Sequence, residues 1–244
     1  MSLADQIANW INKQVKAAGA AGIAIGLSGG VDSACAAGLA KMALGRERVV
    51  GVLMPCHSDP IDTEYAEQTS ETFDLETITV DLTPVYDILV AALPPTDQGL
   101  AQANLKPRLR MIAIYYIANT RNYLVAGTSN KSELLVGYFT KYGDGAADIL
   151  PLGDLYKREV YNLARDVGVS QSIIDRPPTA GLWPGQTDEE ELGLTYDTLE
   201  RALITLTSGG DHDVDHPTLT QVRAMMTTSA HKRTLPPMFI RGTV

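Results

Sequence analysis

The chain has 244 residues and a formal net charge of −9; its length suits one α/β domain, or one domain with a modest extension. Hydrophobic residues make up 45% and charged residues 20%, enough for a core without disulfides or structural metal, and the acidic excess excludes the broad basic surface of a non-specific nucleic-acid binder. No apolar run reaches the roughly 18 residues of a membrane span, and the opening Met1-Ser2-Leu3-Ala4-Asp5-Gln6 lacks the basic start and apolar stretch of a signal peptide, so a reducing cytoplasm is the expected compartment.

In chain order, residues 7–15 read as a short amphipathic helix and 22–27 (GIAIGL) as a buried parallel strand ending in a glycine-rich turn. Residues 31–44, rich in Ala and Leu, predict a helix, and 49–54 (VVGVLM) a second buried strand closed by Pro55. A helix over 62–73, a β-branched strand over 77–80, and a helix opening at Thr83-Pro84 follow. Residues 98–119 read as one long helix despite Pro107, with Met111, Ile112, Ile114, Tyr115, Tyr116 and Ile117 apolar enough for a core or an interface. Residues 123–126 make a fourth strand. Alternating strands and helices predict an α/β fold: a doubly wound parallel sheet with helices on both faces and ligands at the strands' carboxyl ends.

Residues 141–151 (KYGDGAADILP) predict a long, ordered functional loop. A helix over 155–167 is capped by Gly168. Residues 176–186 (RPPTAGLWPGQ) hold three prolines and two glycines and read as a mobile flap, with Trp183 either covering a ligand ring or packed on the surface. Helices over 195–206 and 218–229 are joined through a turn that begins Ser208-Gly209-Gly210-Asp211. No repeat or domain linker interrupts the chain, so residues 1–244 are expected to form a single domain with a flap at 175–190. Cys35 falls on the buried face of its predicted helix; Cys56 keeps the option of a nucleophile.

The strongest local signal is Ser28-Gly29-Gly30-Val31-Asp32-Ser33 between a strand and a helix. Two glycines let backbone N–H groups approach a phosphate, and the helix N-terminus adds a positive dipole end. Ser28 and Ser33 carry hydroxyl donors, and Asp32 suits a cation bridging phosphate oxygens. The lysine of the GxxxxGK[ST] loop is missing, so phosphate charge must be met by Mg²⁺ and by basic residues from elsewhere. The plain alternative is a turn whose serine and aspartate cap a helix.

This turn resembles the pyrophosphate loop of the N-type ATP pyrophosphatases, which include NAD⁺ synthetase, GMP synthetase, asparagine synthetase and several tRNA-modifying enzymes. The stretch from Gly127-Thr128-Ser129-Asn130-Lys131-Ser132-Glu133 to Asp148 is similar to the bacterial NAD⁺ synthetase pattern GTxxxxE…GFxTKxGDGxxD, with Tyr138 in place of Phe. The resemblance runs from about Ala21 to Lys232 and implies an adenine nucleotide alpha hydrolase-like, Rossmann-like fold. It implies amidation of deamido-NAD⁺ by ammonia through an acyl-adenylate, with ATP cleaved to AMP and pyrophosphate, as the last step of NAD⁺ biosynthesis.

Carried onto this sequence, it implies ATP binding by Gly26, Leu27, Ser28, Gly29, Gly30, Val31, Asp32, Ser33, Thr128, Lys157 and Thr179. Asp32 and Glu133 would hold Mg²⁺. Arg108, Lys141, Asp148, His231 and Lys232 would bind deamido-NAD⁺, and Asp32, Ser28 and Asp148 would serve the chemistry; Asp148 suits either a ribose hydrogen bond or the orienting of ammonia. Read without the resemblance, Glu133 is a helix N-terminal acid favoured by the dipole, and Lys157, Arg108 and His231 are solvated surface. The resemblance also implies a homodimer with the dinucleotide at the subunit interface. No glutaminase constellation is visible, so free ammonia or a separate ammonia-supplying protein is the expected nitrogen source. A tRNA thiolase would need reactive cysteines and a basic surface, and a nucleotide sensor would not need Asp32, Glu133 and Lys157 together.

Overall fold

The computed structural model describes residues 1–183, 185–209 and 213–241. Gly210 and Asp211, expected in the turn between the last two long helices, and Pro184 of the flap lie outside the described residues.

The first helix, α1 (Leu3–Ala17), starts at Ser2, whose hydroxyl accepts from the Asp5 N–H while the Asp5 carboxylate accepts from the Ser2 N–H. That reciprocal cap satisfies two otherwise unpaired donors. Its buried Ala4, Ala8, Ile11 and Val15 recur at helical spacing against α2 (Val31–Leu44). Between them runs β1 (Gly22–Gly26), buried along nearly its whole length. Then come β2 (Val49–Leu53), α3 (Pro60–Phe73), β3 (Glu76–Thr79) and α4 (Thr83–Ala92). Asp59 caps α3 by accepting from the Ile61 N–H, and Pro60 occupies the first helical position, where no N–H is needed.

The long helix expected over 98–119 is two helices, α5 (Gly99–Ala103) and α6 (Leu105–Arg121), hinged at Asn104. The reason is Pro107: it has no N–H to donate to the carbonyl four residues back, so a continuous helix would lose that bond. Placed in the first turn of α6, the proline falls where N–H groups have no helical acceptor in any case. Asn122 ends α6 in the left-handed region and turns the chain into β4 (Tyr123–Ala126).

The remaining α-helices among the described residues are α7 (Lys131–Val136), α8 (Lys157–Asp166), α9 (Gln171–Ile174), α10 (Asp188–Leu192), α11 (Tyr196–Ser208) and α12 (His216–Thr228). The short α9 and α10 were not expected from sequence, because so few residues carry no periodic signal. Residues 141–151 are irregular, as expected, apart from one bridge pairing Ile149 with Ala126.

The four strands are all parallel, in the order β3-β2-β1-β4. Alternate residues of each strand feed opposite layers. Ile23 and Ile25 pack with α1, α2, α3 and α8, whereas Ala24, Val50, Val52 and Val125 pack against Ile114, Ile117 and Ala118 of α6. The doubly wound α/β expectation therefore holds. A separate apolar cluster ties α7, α11 and α12 together through Val136, Leu199, Leu203 and Val222. The chain winds outward from β1 to β2 and β3, then returns to place β4 on the other side of β1. A crevice opens at such a reversal, beyond the carboxyl ends of the two strands.

Candidate active site

Both loops at that crevice are the ones the sequence singled out. After β1, the Ser33 hydroxyl donates to the Gly30 carbonyl at 2.8 Å and receives the Ser28 hydroxyl at 3.1 Å and the Ser28 N–H at 3.3 Å. Ser33 is thus spent on the shape of the turn, and only Ser28 is exposed. Gly30 is the N-cap of α2 and no side chain caps it, so the first N–H groups of α2 keep their donors for a ligand. This is not the serine- or aspartate-capped helix of the plain alternative. Gly29 has φ +78, and a Cβ there would lie 2.4 Å from the Asp62 carbonyl, so only glycine fits. The Arg176 guanidinium donates to the Gly29 carbonyl at 3.3 Å and pairs with Asp62, clamping the turn from behind.

Across the crevice, Asn130 caps α7. Its side chain accepts from the Glu133 N–H at 3.1 Å, and Glu133 Oε2 accepts from the Asn130 N–H at 3.3 Å. That leaves Glu133 Oε1 facing Asp32, the second residue of α2. Lys157, the first residue of α8, lies between them: its Nζ is 2.5 Å from Asp32 Oδ2 and 3.3 Å from Glu133 Oε1. Asn130 Nδ2 donates to both acids, at 2.9 Å to Asp32 and 2.7 Å to Glu133. The Lys157 side chain is 3% exposed, those of Asp32 and Glu133 17% and 15%.

Burial pushes the Glu133 carboxyl up to about 7, against the opposing pull of Lys157. Burial works to lower the Lys157 ammonium, but Asp32 and Glu133 outweigh it and hold the group above its ordinary value. Asp188, in the short acidic helix after the flap, is also raised by burial. It accepts from the Tyr196 hydroxyl at 2.9 Å and the Tyr138 hydroxyl at 3.1 Å. Burial and the neighbouring acids raise both tyrosines, so both stay protonated donors.

Asp32, Glu133, Lys157, Asp188 and Tyr138 line one cavity of about 400 Å³, a size suited to a nucleotide. Gly26, Leu27, Ser28, Gly30, Val31 and Asp32 form one wall, and Thr128, Glu133, Lys157, Thr179 and Lys232 stand on the others. Gly29 and Ser33 shape the turn behind that wall. Four expected dinucleotide ligands do not line the cavity. Arg108 is exposed and reaches the Lys141 carbonyl at 3.5 Å, while Lys141 Nζ donates to the His231 carbonyl at 2.6 Å, so these three form a ledge outside it. Asp148 is tied to the fold: Oδ2 accepts from the Val125 N–H at 2.8 Å and Oδ1 from the Tyr115 hydroxyl at 3.3 Å. Lys232 points inward, donating to the Gly137 and Phe139 carbonyls at 2.8 and 2.9 Å.

The cation that α6 does turn into the cavity is Arg110, whose Nε donates to the Met54 carbonyl at 3.1 Å. Sequence reasoning passed over it, and over Asn130, Asp188 and Tyr196. Asn130 had a signal, the N-x-x-E spacing of a capping box before an apolar pair. The flap residues Pro177, Pro178, Ala180 and Leu182 cover the cavity, and Lys106, 6% exposed, donates from Nζ to the Leu182 carbonyl at 2.7 Å. Trp183 is 42% exposed and does not line the cavity, whereas its neighbour Leu182 does. Both thiols are fully buried and raised by that burial, which removes Cys56 as a nucleophile.

Comparison with known proteins follows the same line. The sequence profile of the family described as NAD synthase matches residues 3–236. A protein of Carboxydothermus hydrogenoformans named NH(3)-dependent NAD(+) synthetase is 45% identical over 236 residues, covering 95% of this chain and 94% of its own length. A solved structure of an NMN synthetase from Francisella tularensis is 36% identical with a TM-score of 0.89, over 97% of this chain and 96% of that one. The NH3-dependent NAD synthetase of Campylobacter jejuni, solved with a nitrate ion, is 30% identical with a TM-score of 0.84, over 98% of each chain.

Proposed function

Because the chain belongs to the NAD synthase family, we infer that its cavity performs that family's reaction. It is a ligase that uses ATP to convert the nicotinate carboxylate of deamido-NAD⁺ into an amide with ammonia, completing NAD⁺ biosynthesis. The observation that carries the mechanism is the Asp32–Lys157–Glu133 cluster facing the serine–glycine turn in one cavity.

A carboxylate is anionic and has no leaving group, so ammonia cannot displace its oxygen directly. A carboxylate oxygen attacks the α-phosphorus of ATP, the bond to the β-phosphate oxygen breaks, and pyrophosphate departs. Ammonia then attacks the acyl carbon of the adenylate, AMP leaves with the C–O bonding electrons, and the surplus proton passes to water. The first step needs positioning and charge stabilisation more than covalent help. Ser28, the Gly30 turn and the free N–H groups of α2 would cradle the pyrophosphate, and Lys157 would meet its growing charge.

The donor set also fits a divalent ion. Two carboxylates from different elements converge on a single cation, and both open toward the cavity. Mg²⁺ takes few carboxylates and fills its shell with phosphate oxygens and water, consistent with no group of three or more His, Cys, Asp or Glu placed to hold a metal among the described residues. Asp32 and Glu133 would hold the ion, and when bound it supplies neutralisation of the triphosphate. Thr128 and Thr179 would contact ATP, and Lys232 the substrate acid. The flap would exclude water, which competes with ammonia for the adenylate.

The ledge of Arg108, Lys141 and His231 would receive the remainder of the dinucleotide outside the cavity. Ile88, Ile112 and Tyr116 are 72%, 60% and 71% exposed on α4 and α6; burying such a face against a second copy would give a homodimer. Asp148, held by Val125 and Tyr115, would act there through the β4 backbone. The ammonia would be free or handed over by a separate protein. No helix among the described residues is long and apolar enough to cross a membrane, and the cytoplasm is the compartment we propose.

The test is incubation with ATP, Mg²⁺, ammonium and deamido-NAD⁺, scoring NAD⁺, AMP and pyrophosphate. Nicotinate mononucleotide is the competing acid, because the F. tularensis neighbour is an NMN synthetase. Faster turnover of the mononucleotide would reassign the substrate, and ADP with inorganic phosphate would overturn the mechanism.

A further inference from the structure

Glu200 is 1% exposed in the middle of α11 and has no place in the chemistry above. Its Oε1 accepts two hydrogen bonds, from the Ser132 hydroxyl at 2.9 Å and the Arg158 N–H at 3.2 Å. The Ser132 hydroxyl, itself fully buried, accepts in turn from the Lys157 N–H at 3.1 Å. Each partner adjoins or is a site residue: Ser132 precedes Glu133 on α7, and Arg158 follows Lys157 on α8. One carboxylate oxygen and one hydroxyl thus gather the N-termini of the two helices that carry the acid and the ammonium.

The other oxygen, Oε2, is buried without a hydrogen bond; its neighbour is Arg158 Nε at 3.6 Å, on a side chain 59% exposed. A buried carboxylate with one unsatisfied oxygen is costly, and an apolar side chain of similar volume is often no less stable at such a place. What an apolar residue would not provide is an acceptor shared by two helix N-termini. The same face of α11 bears Tyr196, one turn earlier. Its ring centroid is 5.0 Å from Lys157 Nζ and its hydroxyl 3.4 Å from Glu133 Oε1. The helix therefore addresses Lys157 twice, at its head through the ring and at its backbone through Glu200.

We propose that Glu200, acting through Ser132 and the first N–H groups of α8, is a positioning residue that sets Lys157 against Glu133 for ATP binding and adenylation. The proposal rests on the adenylation reading of the cavity. Without the carboxylate, the α8 N-terminus loses its acceptor and shifts relative to α7, and a displacement near 1 Å in such a site reduces turnover by about a hundredfold.

The test uses the full chain and three variants, Glu200→Ala, Glu200→Gln and Ser132→Ala. MgATP affinity is read by equilibrium binding, and KM for ATP and for ammonia by steady-state kinetics. Glu200→Ala is expected to weaken MgATP and raise the ATP KM by about tenfold, lower kcat by about a hundredfold, and leave the ammonia KM within about twofold. The Gln carbonyl still accepts from Ser132 and Arg158, so Glu200→Gln should stay within about threefold of wild type. A merely structural glutamate would lower the active fraction and move no KM.

Glu200→Ala binding MgATP like wild type overturns the proposal, as does Glu200→Gln as impaired as Glu200→Ala. If Glu200→Ala does not fold, Ser132→Ala decides, and an unchanged ATP KM there overturns it. Wild-type protein that binds no MgATP sinks the adenylation reading and this proposal with it, whereas wild-type binding matched by Glu200→Ala sinks this proposal alone.

Discussion

Replacing Lys157 by methionine keeps most of the length of the side chain and removes its charge. The ammonium sits 2.5 Å from Asp32 and 3.3 Å from Glu133 with 3% of the side chain exposed, so solvent offers little screening to the acids left behind. Removing one partner of a buried ion pair costs about 3–5 kcal/mol. For a chain of this length each kcal/mol shifts the melting temperature by roughly 2–4 °C, so the variant should melt about 6–20 °C below wild type.

The pH dependence has a definite sign. Glu133 is raised from 4.5 to about 7 with Lys157 present, so the folded state holds its proton more tightly than the unfolded chain. The stability this group contributes is complete below the unfolded value and is lost as pH rises through the folded one. Without the ammonium Glu133 moves higher still, and the variant's deficit against wild type should be smaller at pH 6 than at pH 8, while the loss of the closer pair with Asp32 is felt at both. Calorimetry of metal-free protein at both pH values measures this. Pyrophosphate exchange into ATP, dependent on deamido-NAD⁺, should fall by about 10²–10³, the loss typical of one stabilising donor. A shift under about 2 °C at pH 8, or a deficit larger at pH 6 than at pH 8, would refute the central place given to Lys157.

Three further outcomes are expected. Asp32→Asn should abolish Mg²⁺-dependent pyrophosphate release while the protein still melts cooperatively; unchanged turnover removes Asp32 from the mechanism. Gly29→Ala forces φ +78 on a residue whose Cβ would stand 2.4 Å from the Asp62 carbonyl, a strain of about 1–3 kcal/mol, and should weaken ATP binding; normal ATP affinity would mean the turn is not the cradle. Lys106→Met unpins the flap at Leu182, so AMP should be formed in excess over NAD⁺ as water intercepts the adenylate; a ratio held at one would show that the latch does not exclude water.

Much of the scaffold was legible because it is local. Both central strands are short apolar runs bounded by turn residues, and the phosphate turn lies wholly within six consecutive positions between a strand and a helix. Ser33 shows the limit of that legibility. Its residue type suits a ligand donor, but whether the hydroxyl faces a phosphate or the Gly30 carbonyl depends on the fold of the turn. Asp188 and Tyr196 were missed for another reason: the Tyr196 hydroxyl reaches Glu133 across a gap of 63 residues, and Asp188 joins the site through that same hydroxyl. No local pattern records such a meeting.

The choice between Arg108 and Arg110 turns on helical phase. Residues two apart on a helix point about 200° away from each other, so one of these arginines can face the cavity and the other cannot. Phase is set by the buried stripe, and in α6 that stripe includes Ile114, Ile117 and Ala118, which pack under the sheet. Counting back by fours from Ile114 gives Arg110 and Lys106, the one lining the cavity and the other holding the flap. Arg108 falls on the opposite side and joins Lys141 on the outer ledge. The apolar run from Met111 to Ile117 obscures that phase in the sequence, because Ile112 and Tyr116 are as hydrophobic as the buried positions yet face outward. An outward apolar stripe beside an outward arginine suits the second-subunit contact proposed above. Ile112→Asp should therefore leave pyrophosphate exchange at saturating deamido-NAD⁺ intact while lowering the apparent mass in solution and raising the KM for deamido-NAD⁺. A monomeric wild type, or an Ile112→Asp variant with unchanged mass and KM, would mean that the ledge works within a single chain.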